Sequence, residues 1–275
     1  IDSLLGICKR RIYSLILCVK HYPIEIVYGF VGLRKTMRIS NSKKLKRAVV
    51  IGNGPSRGFL SLDLLNSFVR QGGETICINN WNLTKDLAEH VPTWLLISDP
   101  ATFSNKHECL KSLELLDYLR TNPSINIVGP YWLAQQAKVN YLPNQVFTFI
   151  DSALPFWKNI NPLLPRGYIT MTLYKALAWA SYLGFAQIGV IGMDNTYPRN
   201  VFCDHNNKLL NLEIHAESED YVYDVSSRYP SMSALLQDLF VLFNDLQCFP
   251  EEKIFNLDYY SLTDRFRKVD LTSFL

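Results

Sequence analysis

The sequence predicts an α/β fold of the Rossmann-like kind, with a mostly parallel sheet and helices on both of its faces. Short β-branched runs alternate with longer segments of high helix propensity, and most runs end in a polar residue or a glycine turn. The chain of 275 residues is 48% hydrophobic and 13% aromatic against 19% charged, which provides enough apolar surface for a large core. The same composition excludes a disordered chain.

The individual elements follow from local patterns taken in chain order. The first strand is predicted at residues 48–51, which lead into a turn at residues 52–56, and Ser56 is expected to cap a helix that runs to Phe68. A strong helix is predicted at residues 170–183, because good helix formers precede Gly184 as a stop signal. Further strands are predicted at residues 75–78, 94–97, 125–128, 146–150, 188–191 and 253–257, and a further helix at residues 232–246.

By composition the chain divides into a basic segment, residues 1–46, and a Rossmann-like domain, residues 47–275. Up to Arg47 there are eleven basic and two acidic side chains, so this part carries +9 and the rest −6 of the total charge of +3. A basic segment on an acidic body argues against a nucleic-acid binder, whose basic residues cover the folded face. Apolar and basic residues near helical spacing predict a basic amphipathic helix: Leu4, Leu5, Ile12, Leu15, Ile16 and Val19, with Arg10, Arg11 and Lys20.

Two interpretations of this helix stay open. It either rests on the anionic inner face of the cell membrane, which makes the protein cytoplasmic and peripheral, or it packs on the core of its own domain. The longest apolar run, residues 12–19, is shorter than the roughly 20 residues of a membrane-spanning helix, so no such helix is expected. Six cysteines without a CxxC pair indicate a reducing compartment, and neither a zinc site nor a disulfide framework.

A ligand site is predicted at the carboxyl ends of the strands, where loops and helix N-termini converge in a parallel sheet. The polar residues that follow the predicted strands are Asn53, Asn79, Asn80, Asp99, Asp194 and the segment after Leu257. Together they describe a pocket that is rich in amide side chains and poor in lysine.

The glycine turn at residues 52–56 fits neither of the common phosphate-binding motifs. The pattern G-x-G-x-x-G fails because Arg57 occupies the third glycine position, and no G-K-[ST] follows for a P-loop. Residues 54–58 do spell G-x-S-x-G, the nucleophile elbow of α/β-hydrolases, with Asp194 and His215 later in the required order. In α/β-hydrolases such an elbow follows several strands and an oxyanion loop. Here only the basic segment precedes the first strand and its turn, so a serine hydrolase is the less favoured interpretation.

Five motifs in order resemble the bacterial sialyltransferases of glycosyltransferase family 42. They are VVIGNGPS at residues 49–56, CINNW at 77–81, SDP at 98–100, YLGFAQIGVIGMD at 182–194 and NLDYYSLTDRF at 256–266. The same set resembles the motility accessory factor glycosyltransferases and the archaeal-type hydroxymethylpterin diphosphokinases, which share the GNGPS turn. The resemblance covers residues 47–265.

The sialyltransferase resemblance implies a GT-A-like variant that uses a CMP-activated nonulosonic acid, with no metal or other cofactor. The donor-binding positions that it implies are Gly52, Asn53, Gly54, Ser56, Asn79, Asn80, Asp99, Thr170, Thr172 and Asp194. Asn53 is implied to contact the phosphate and ribose of CMP, whereas Asp99 stands where the family has an Asn. Thr170 or Thr172 corresponds to the segment that holds the donor carboxylate at a helix N-terminus.

The catalytic groups that the resemblance implies are a histidine general base and tyrosine hydroxyls that support the departing phosphate. His215 is the favoured base because acidic residues flank it, His205 is the alternative, and Tyr197 is the candidate tyrosine. The implied acceptor is a bacterial surface glycan or glycolipid, as in lipopolysaccharide or capsule, and the oligomeric state is open, with a homo-oligomer as one option.

A second activity follows if the pterin diphosphokinases are the better match. That reaction needs Mg²⁺ on the phosphates of ATP, with Asp99 and Asp194 as oxygen ligands. No Asp-x-Asp signature follows a predicted strand, so a metal-free transfer is preferred. The basic N-terminal helix also favours a transferase with a glycolipid acceptor over a soluble folate-type enzyme.

Overall fold

A computed structural model of the chain describes residues 2–44, 46–79, 81, 87, 89–99, 109–154, 156–168, 171–195, 199–213, 221–226 and 231–275. Its strands are β1 (Arg47–Ile51), β2 (Glu74–Ile78), β3 (Trp94–Leu96), β4 (Asn126–Gly129), β5 (Val146–Thr148), β6 (Gln187–Ile191), β7 (Val201–Cys203), β8 (Leu209–Glu213), β9 (Tyr221–Asp224), β10 (Ile254–Asn256) and β11 (Arg267–Lys268). Its helices are α1 (Asp2–Arg38), α2 (Leu62–Arg70), α3 (Cys109–Thr121), α4 (Tyr131–Val139), α5 (Thr172–Leu183), α6 (Met232–Asp245) and α7 (Leu271–Phe274).

The main sheet has eight strands in the order β11-β10-β6-β1-β2-β3-β4-β5, and each strand is parallel to its neighbours. The central strands are nearly continuous apolar runs and are buried, as expected where helices cover both faces. This is the α/β fold that the sequence predicts. The strand order reverses around β1, which places the loops after β1 and β6 side by side at the carboxyl edge.

Two cores lie on opposite faces of this sheet. On one face α5 and α6 pack, with Leu177 and Trp179 of α5 fully buried. On the other face α2, α3 and α7 pack through residues such as Leu65 and Leu119. Helix α5 ends at Gly184, whose φ of +81° is the left-handed conformation that favours glycine at a helix C-terminus.

A second sheet, β7-β8-β9, is antiparallel and follows β6 in the chain. The sequence pattern does not predict this sheet, because its strands are three to five residues long and partly polar. It packs a small core of its own, formed by Leu209, Val225 and Leu235 of α6.

Helix α1 packs along the free edge of the main sheet, against β5 and α4. Thr36 Oγ1 donates to Thr148 O at 2.8 Å and accepts from Thr148 N at 3.2 Å, so it satisfies backbone groups of this edge strand. The approach is close, because a Cβ at Gly32 would overlap the Thr148 side chain. Farther along α1, the Glu25 carboxylate accepts from Ser152 N at 3.1 Å.

The linker between α1 and β1 is bonded to the C-terminal end of α5. Asn41 N donates to Tyr182 O at 3.1 Å, and Lys43 N donates to Leu183 O at 2.9 Å. Lys43 and Lys46 both form ion pairs with Glu74 at the start of β2, with N–O distances of 2.7 and 2.8 Å. Trp94 Nε1 also donates to this carboxylate, at 2.8 Å. Burial acts to raise the pKa of Glu74, but these partners outweigh it and lower the pKa.

One sequence-based expectation is wrong. Ser56 caps no α-helix, since the N-cap of α2 is Ser61, whose side chain accepts from Leu64 N. The part of the chain that the structure describes contains one helix, Ile12–Arg38, whose length and composition would be sufficient to cross a membrane. The uninterrupted apolar run at residues 12–19 does not indicate this length, because the helix continues past isolated charged residues.

Candidate functional site

The turn after β1 packs directly against the loop after β6. Gly52 N donates to Ile191 O at 2.8 Å, and Gly54 N donates to Gly192 O at 3.1 Å. A Cβ at Gly52 would collide with the Gly192 carbonyl, and a Cβ at Gly54 would overlap the Asp194 carboxylate. The two glycines of the GNGPS turn are therefore required by this approach of one backbone to another.

Asp194 is the buried acid at this contact. Its carboxylate accepts from the backbone N–H and from the hydroxyl of Ser56, both at 2.9 Å. Burial raises the pKa of Asp194 above its ordinary value, and the nearby Asp258 carboxylate adds to the rise, while the bonds from Ser56 oppose it. The acid thus holds the β1 turn in place with both of its oxygens.

Three side chains meet at the N-terminus of α5, from the ends of three elements. Asn79, after β2, donates through Nδ2 to Thr172 Oγ1 at 3.3 Å and accepts at Oδ1 from Ser98 N at 3.3 Å. Ser98, after β3, has its hydroxyl 2.9 Å from that of Thr172. Asn79 has a φ of +47°, a left-handed conformation that Asn tolerates better than most residues.

The N-terminus of α5 is suited to an anion. Its cap residue, Met171, makes no side-chain hydrogen bond to the first turn, which leaves backbone N–H groups that a helix itself cannot satisfy. Thr172, the first helical residue, belongs to the polar group at the carboxyl ends of β2 and β3, so the helix dipole points its positive end into this group. Leu173 lies beside Gly52, which places the β1 turn next to the same helix end.

A buried cation stands beside the β1 turn. The guanidinium of Arg57 lies 5.8 Å from the centre of the Trp81 ring and donates to Asn53 Oδ1 at 3.4 Å. The Asn53 oxygen therefore serves as an acceptor for this cation. In the sequence pattern Arg57 stands only as a departure from a glycine motif, which gives no signal of its place beside Asn53.

The segment after β10 closes the carboxyl edge beside the β6 loop. Ser261 Oγ donates to Met193 O at 2.7 Å, and Asn195 Nδ2 donates to Thr263 Oγ1 at 2.8 Å. Asp258 is buried in this segment and accepts from Tyr260 N through Oδ1 at 2.8 Å. The polar tip predicted after Leu257 therefore lies next to Asp194.

The structure brings together most of the predicted binding residues that it describes. Gly52, Asn53, Gly54, Ser56, Asn79, Thr172 and Asp194 lie at the carboxyl edge, around the ends of β1, β2, β6 and the start of α5. Asp99 also follows β3 and is exposed. Ser98 was missed, although its place directly after a predicted strand was a usable signal.

The predicted catalytic residues are placed less completely. His205 is exposed in the turn between β7 and β8, where Nε2 is 3.0 Å from Asn206 Nδ2. His215, Tyr197, Asn80 and Thr170 lie outside the described residues. Within the described ranges, no group of three or more His, Cys, Asp or Glu side chains is arranged to hold a metal ion.

The geometry of Ser56 does not fit the nucleophile of a serine hydrolase. Its hydroxyl is buried, donates directly to Asp194 and accepts from Gly192 N at 2.9 Å. A nucleophile elbow instead exposes its serine to substrate and sets a histidine between serine and acid. The G-x-S-x-G pattern here forms a structural turn.

Comparison with known proteins gives one distant likeness. No family model and no curated protein matches the chain. Among solved structures, it is similar to the MAf glycosyltransferase from Magnetospirillum magneticum AMB-1, with 12% identity and a TM-score of 0.48. The match covers 88% of this chain and 38% of that one, so this chain spans well under half of that protein's length. A likeness this distant identifies neither a family nor an activity.

Proposed function

We propose that this protein is a glycosyltransferase that moves a nonulosonic acid, a sialic-acid-like sugar, from a CMP-activated donor to a glycan acceptor. The proposal is carried by one observation. Asn79, Ser98 and Thr172 are hydrogen-bonded to one another at the N-terminus of α5, where the cap residue Met171 makes no side-chain hydrogen bond. Asn79 and Ser98 lie in motifs that resemble the family 42 sialyltransferases, and the same resemblance implies Thr172 or Thr170 as the residue that holds the donor carboxylate.

The chemistry of such a donor matches this group of residues. A CMP-activated nonulosonic acid carries a phosphate and a carboxylate, and both are anionic acceptors of hydrogen bonds. The N-terminus of α5 supplies N–H donors and a favourable dipole. Of the paired hydroxyls of Ser98 and Thr172, the one that does not donate to the other supplies a further donor. Arg57 adds a positive charge beside Asn53, which suits the phosphate side of the donor.

The proposed reaction needs few groups. The acceptor hydroxyl oxygen forms the new bond to the anomeric carbon of the donor sugar, and the bond from that carbon to the phosphate oxygen of CMP breaks. His215 takes the proton of the acceptor hydroxyl, with His205 as the alternative base, and Tyr197 supports the departing phosphate. We propose that the transfer proceeds without a metal ion and that the acceptor is a surface glycan or glycolipid.

Calorimetric titration with CMP, with and without EDTA, tests the proposal. We expect CMP to bind and EDTA to leave its affinity unchanged, after which CMP-activated sugars can be screened for transfer. An Asn79→Ala variant should bind CMP more weakly. Absence of CMP binding to the folded protein would overturn the proposal.

The alternative diphosphokinase activity is tested in the same experiment. Binding of ATP that requires Mg²⁺, with no binding of CMP, would favour it over the glycosyltransferase. In this structure each oxygen of Asp194 accepts one hydrogen bond from Ser56, so a magnesium ion would have to use the lone pairs that remain on this buried carboxylate.

A further inference from the structure

We propose that the outer face of α1 binds the surface of an anionic phospholipid bilayer, with the helix lying in the plane of the membrane and not crossing it. This outer face is formed by Ile12, Ile16, Val19, Val27, Phe30 and Met37, all of them exposed. This surface is separate from the candidate donor site, so membrane binding can be tested independently of the proposed transfer reaction.

The two sides of α1 differ sharply in what they contact. The inward side, Cys18, Glu25, Gly29, Leu33 and Thr36, is buried against the body of the protein. Members of each set recur at three, four, seven or eight residues, which puts them on one face of a helix with 3.6 residues per turn. The outer face therefore forms a continuous apolar stripe along about 38 Å of helix, uncovered in this structure.

Charge complements the apolar stripe. The exposed cations Lys20, Arg34, Lys35 and Arg38 lie along the described part of α1. Between residues 12 and 38 the sequence has a single acid, Glu25, and that carboxylate is buried against Ser152 N. The solvent-facing side of this stretch is thus apolar and cationic, the combination that binds anionic headgroups and the acyl region beneath them.

The polar contacts of the inward side favour an in-plane helix over a spanning one. A helix that crossed the bilayer would have to withdraw Glu25 from Ser152 and Thr36 from Thr148, and these groups would then need new partners in hydrocarbon. A helix that lies in the plane keeps both contacts and immerses only its outer face.

The same charges disfavour a second copy of the chain as the occupant. Pairing two outer faces would bring the basic residues of one α1 close to those of the other, without a carboxylate between residues 12 and 38 on either outer face. An anionic lipid surface provides the opposite charge directly.

Sedimentation of the full chain with lipid vesicles tests the proposal. We expect the protein to pellet with vesicles of phosphatidylcholine and phosphatidylserine in equal parts, to stay in solution with phosphatidylcholine alone, and to be released by high salt. Val27→Asp should weaken binding about tenfold or more, because it places a charge in the apolar stripe. The matched control is Val139→Asp on α4, since Val27 and Val139 are both 70% exposed.

Three other outcomes would each overturn the proposal. Equal pelleting of the Val27→Asp and Val139→Asp variants, with both shown to be folded by circular dichroism, would remove the outer face from the interaction. Retention on the vesicles after both high salt and alkaline carbonate would indicate a spanning helix. Dimerisation that Val27→Asp abolishes, with no vesicle binding, would identify a second copy as the occupant.

Discussion

Ser56 and Asp194 bind each other twice, across the ends of β1 and β6. The backbone N–H of Ser56 donates to one carboxylate oxygen and its hydroxyl to the other, each at 2.9 Å. The hydroxyl also accepts from Gly192 N. One serine thus connects two loops of the candidate site through bonds that are buried from water.

Ser56→Ala should lower the free energy of unfolding by about 1–3 kcal/mol. The substitution removes the hydroxyl that donates to the buried Asp194 carboxylate and accepts from the N–H of Gly192, so both groups lose a partner. Denaturant unfolding measures the change. Ser233→Ala, at an exposed position near the start of α6, is the control and should change stability little. An equal effect of the two substitutions would contradict the importance of the Ser56 bond.

Thr172→Val should weaken CMP binding about tenfold or more, since it removes a hydroxyl from the group at the N-terminus of α5 while keeping the side-chain shape. Calorimetric titration measures the affinity. Thr121→Val, at the exposed end of α3, controls for the loss of a threonine hydroxyl elsewhere. Unchanged CMP affinity in a folded Thr172→Val protein would place the donor away from this helix.

His215→Ala should lower the transfer rate by about a hundredfold or more while CMP still binds, because a general base acts on the acceptor and not on the nucleotide. Rates with a CMP-activated sugar and calorimetry with CMP separate these effects. His205→Ala is the matched comparison. Intact transfer in the His215→Ala protein together with its loss in the His205→Ala protein would exchange the two roles.

Glu25 should make the stability of the protein depend on pH. Burial raises the pKa of Glu25 from 4.5 to about 7 although the hydrogen bonds from Ser152 lower it, and the nearby Asp151 carboxylate adds to the rise. Between these values the folded chain keeps a proton that the unfolded chain has lost. Stability from this group is therefore highest below pH 4.5 and falls by about 3 kcal/mol as the pH rises to about 7.

Glu25→Gln keeps an acceptor for Ser152 N and has no such proton to lose. The variant should therefore gain stability over the natural chain at mildly alkaline pH and show little gain in acid. Denaturant unfolding at both conditions measures the difference. A gain that is the same at both would show that Glu25 is not the titrating group.

Gly32→Val should destabilise the protein by about 1–3 kcal/mol, because the new side chain collides with Thr148 and separates α1 from the sheet edge. Thermal unfolding and limited proteolysis of α1 measure the effect. Gly58→Ala is the control, since a Cβ there meets nothing within 4 Å. Equal behaviour of the two variants would mean that α1 is not held closely against β5.

The fold could be predicted where one face or both faces of an element are buried. Strands β1, β2 and β6 are short apolar runs bounded by polar or glycine residues, so the pattern indicates that they are buried. Helix α5 combines good helix formers with a glycine stop. Strands β7 to β9 are partly exposed and marginally apolar, so their pairing depends on contacts that are remote in sequence.

The sequence predicts the position of the candidate site in the fold but not the hydrogen bonds between its residues. The rule that ligands bind at carboxyl ends of parallel strands locates Asn53, Asn79 and Asp194 correctly at one edge. Which polar groups bond to each other depends on loop conformations that the sequence pattern does not specify. The pattern therefore predicts Ser56 as a helix cap and does not single out Arg57 or Ser98.

The linker between α1 and β1 bears on where the chain can be shortened. A chain that begins at Arg47 would keep every strand of both sheets, yet it would lose Lys43 and Lys46 and leave the buried carboxylate of Glu74 without its two cations. It would also free the last carbonyls of α5, which Asn41 and Lys43 now satisfy. Versions of this protein made for crystallisation should therefore retain the linker, because residues that precede the first strand pair with Glu74 of the sheet and donate hydrogen bonds to the C-terminal end of α5.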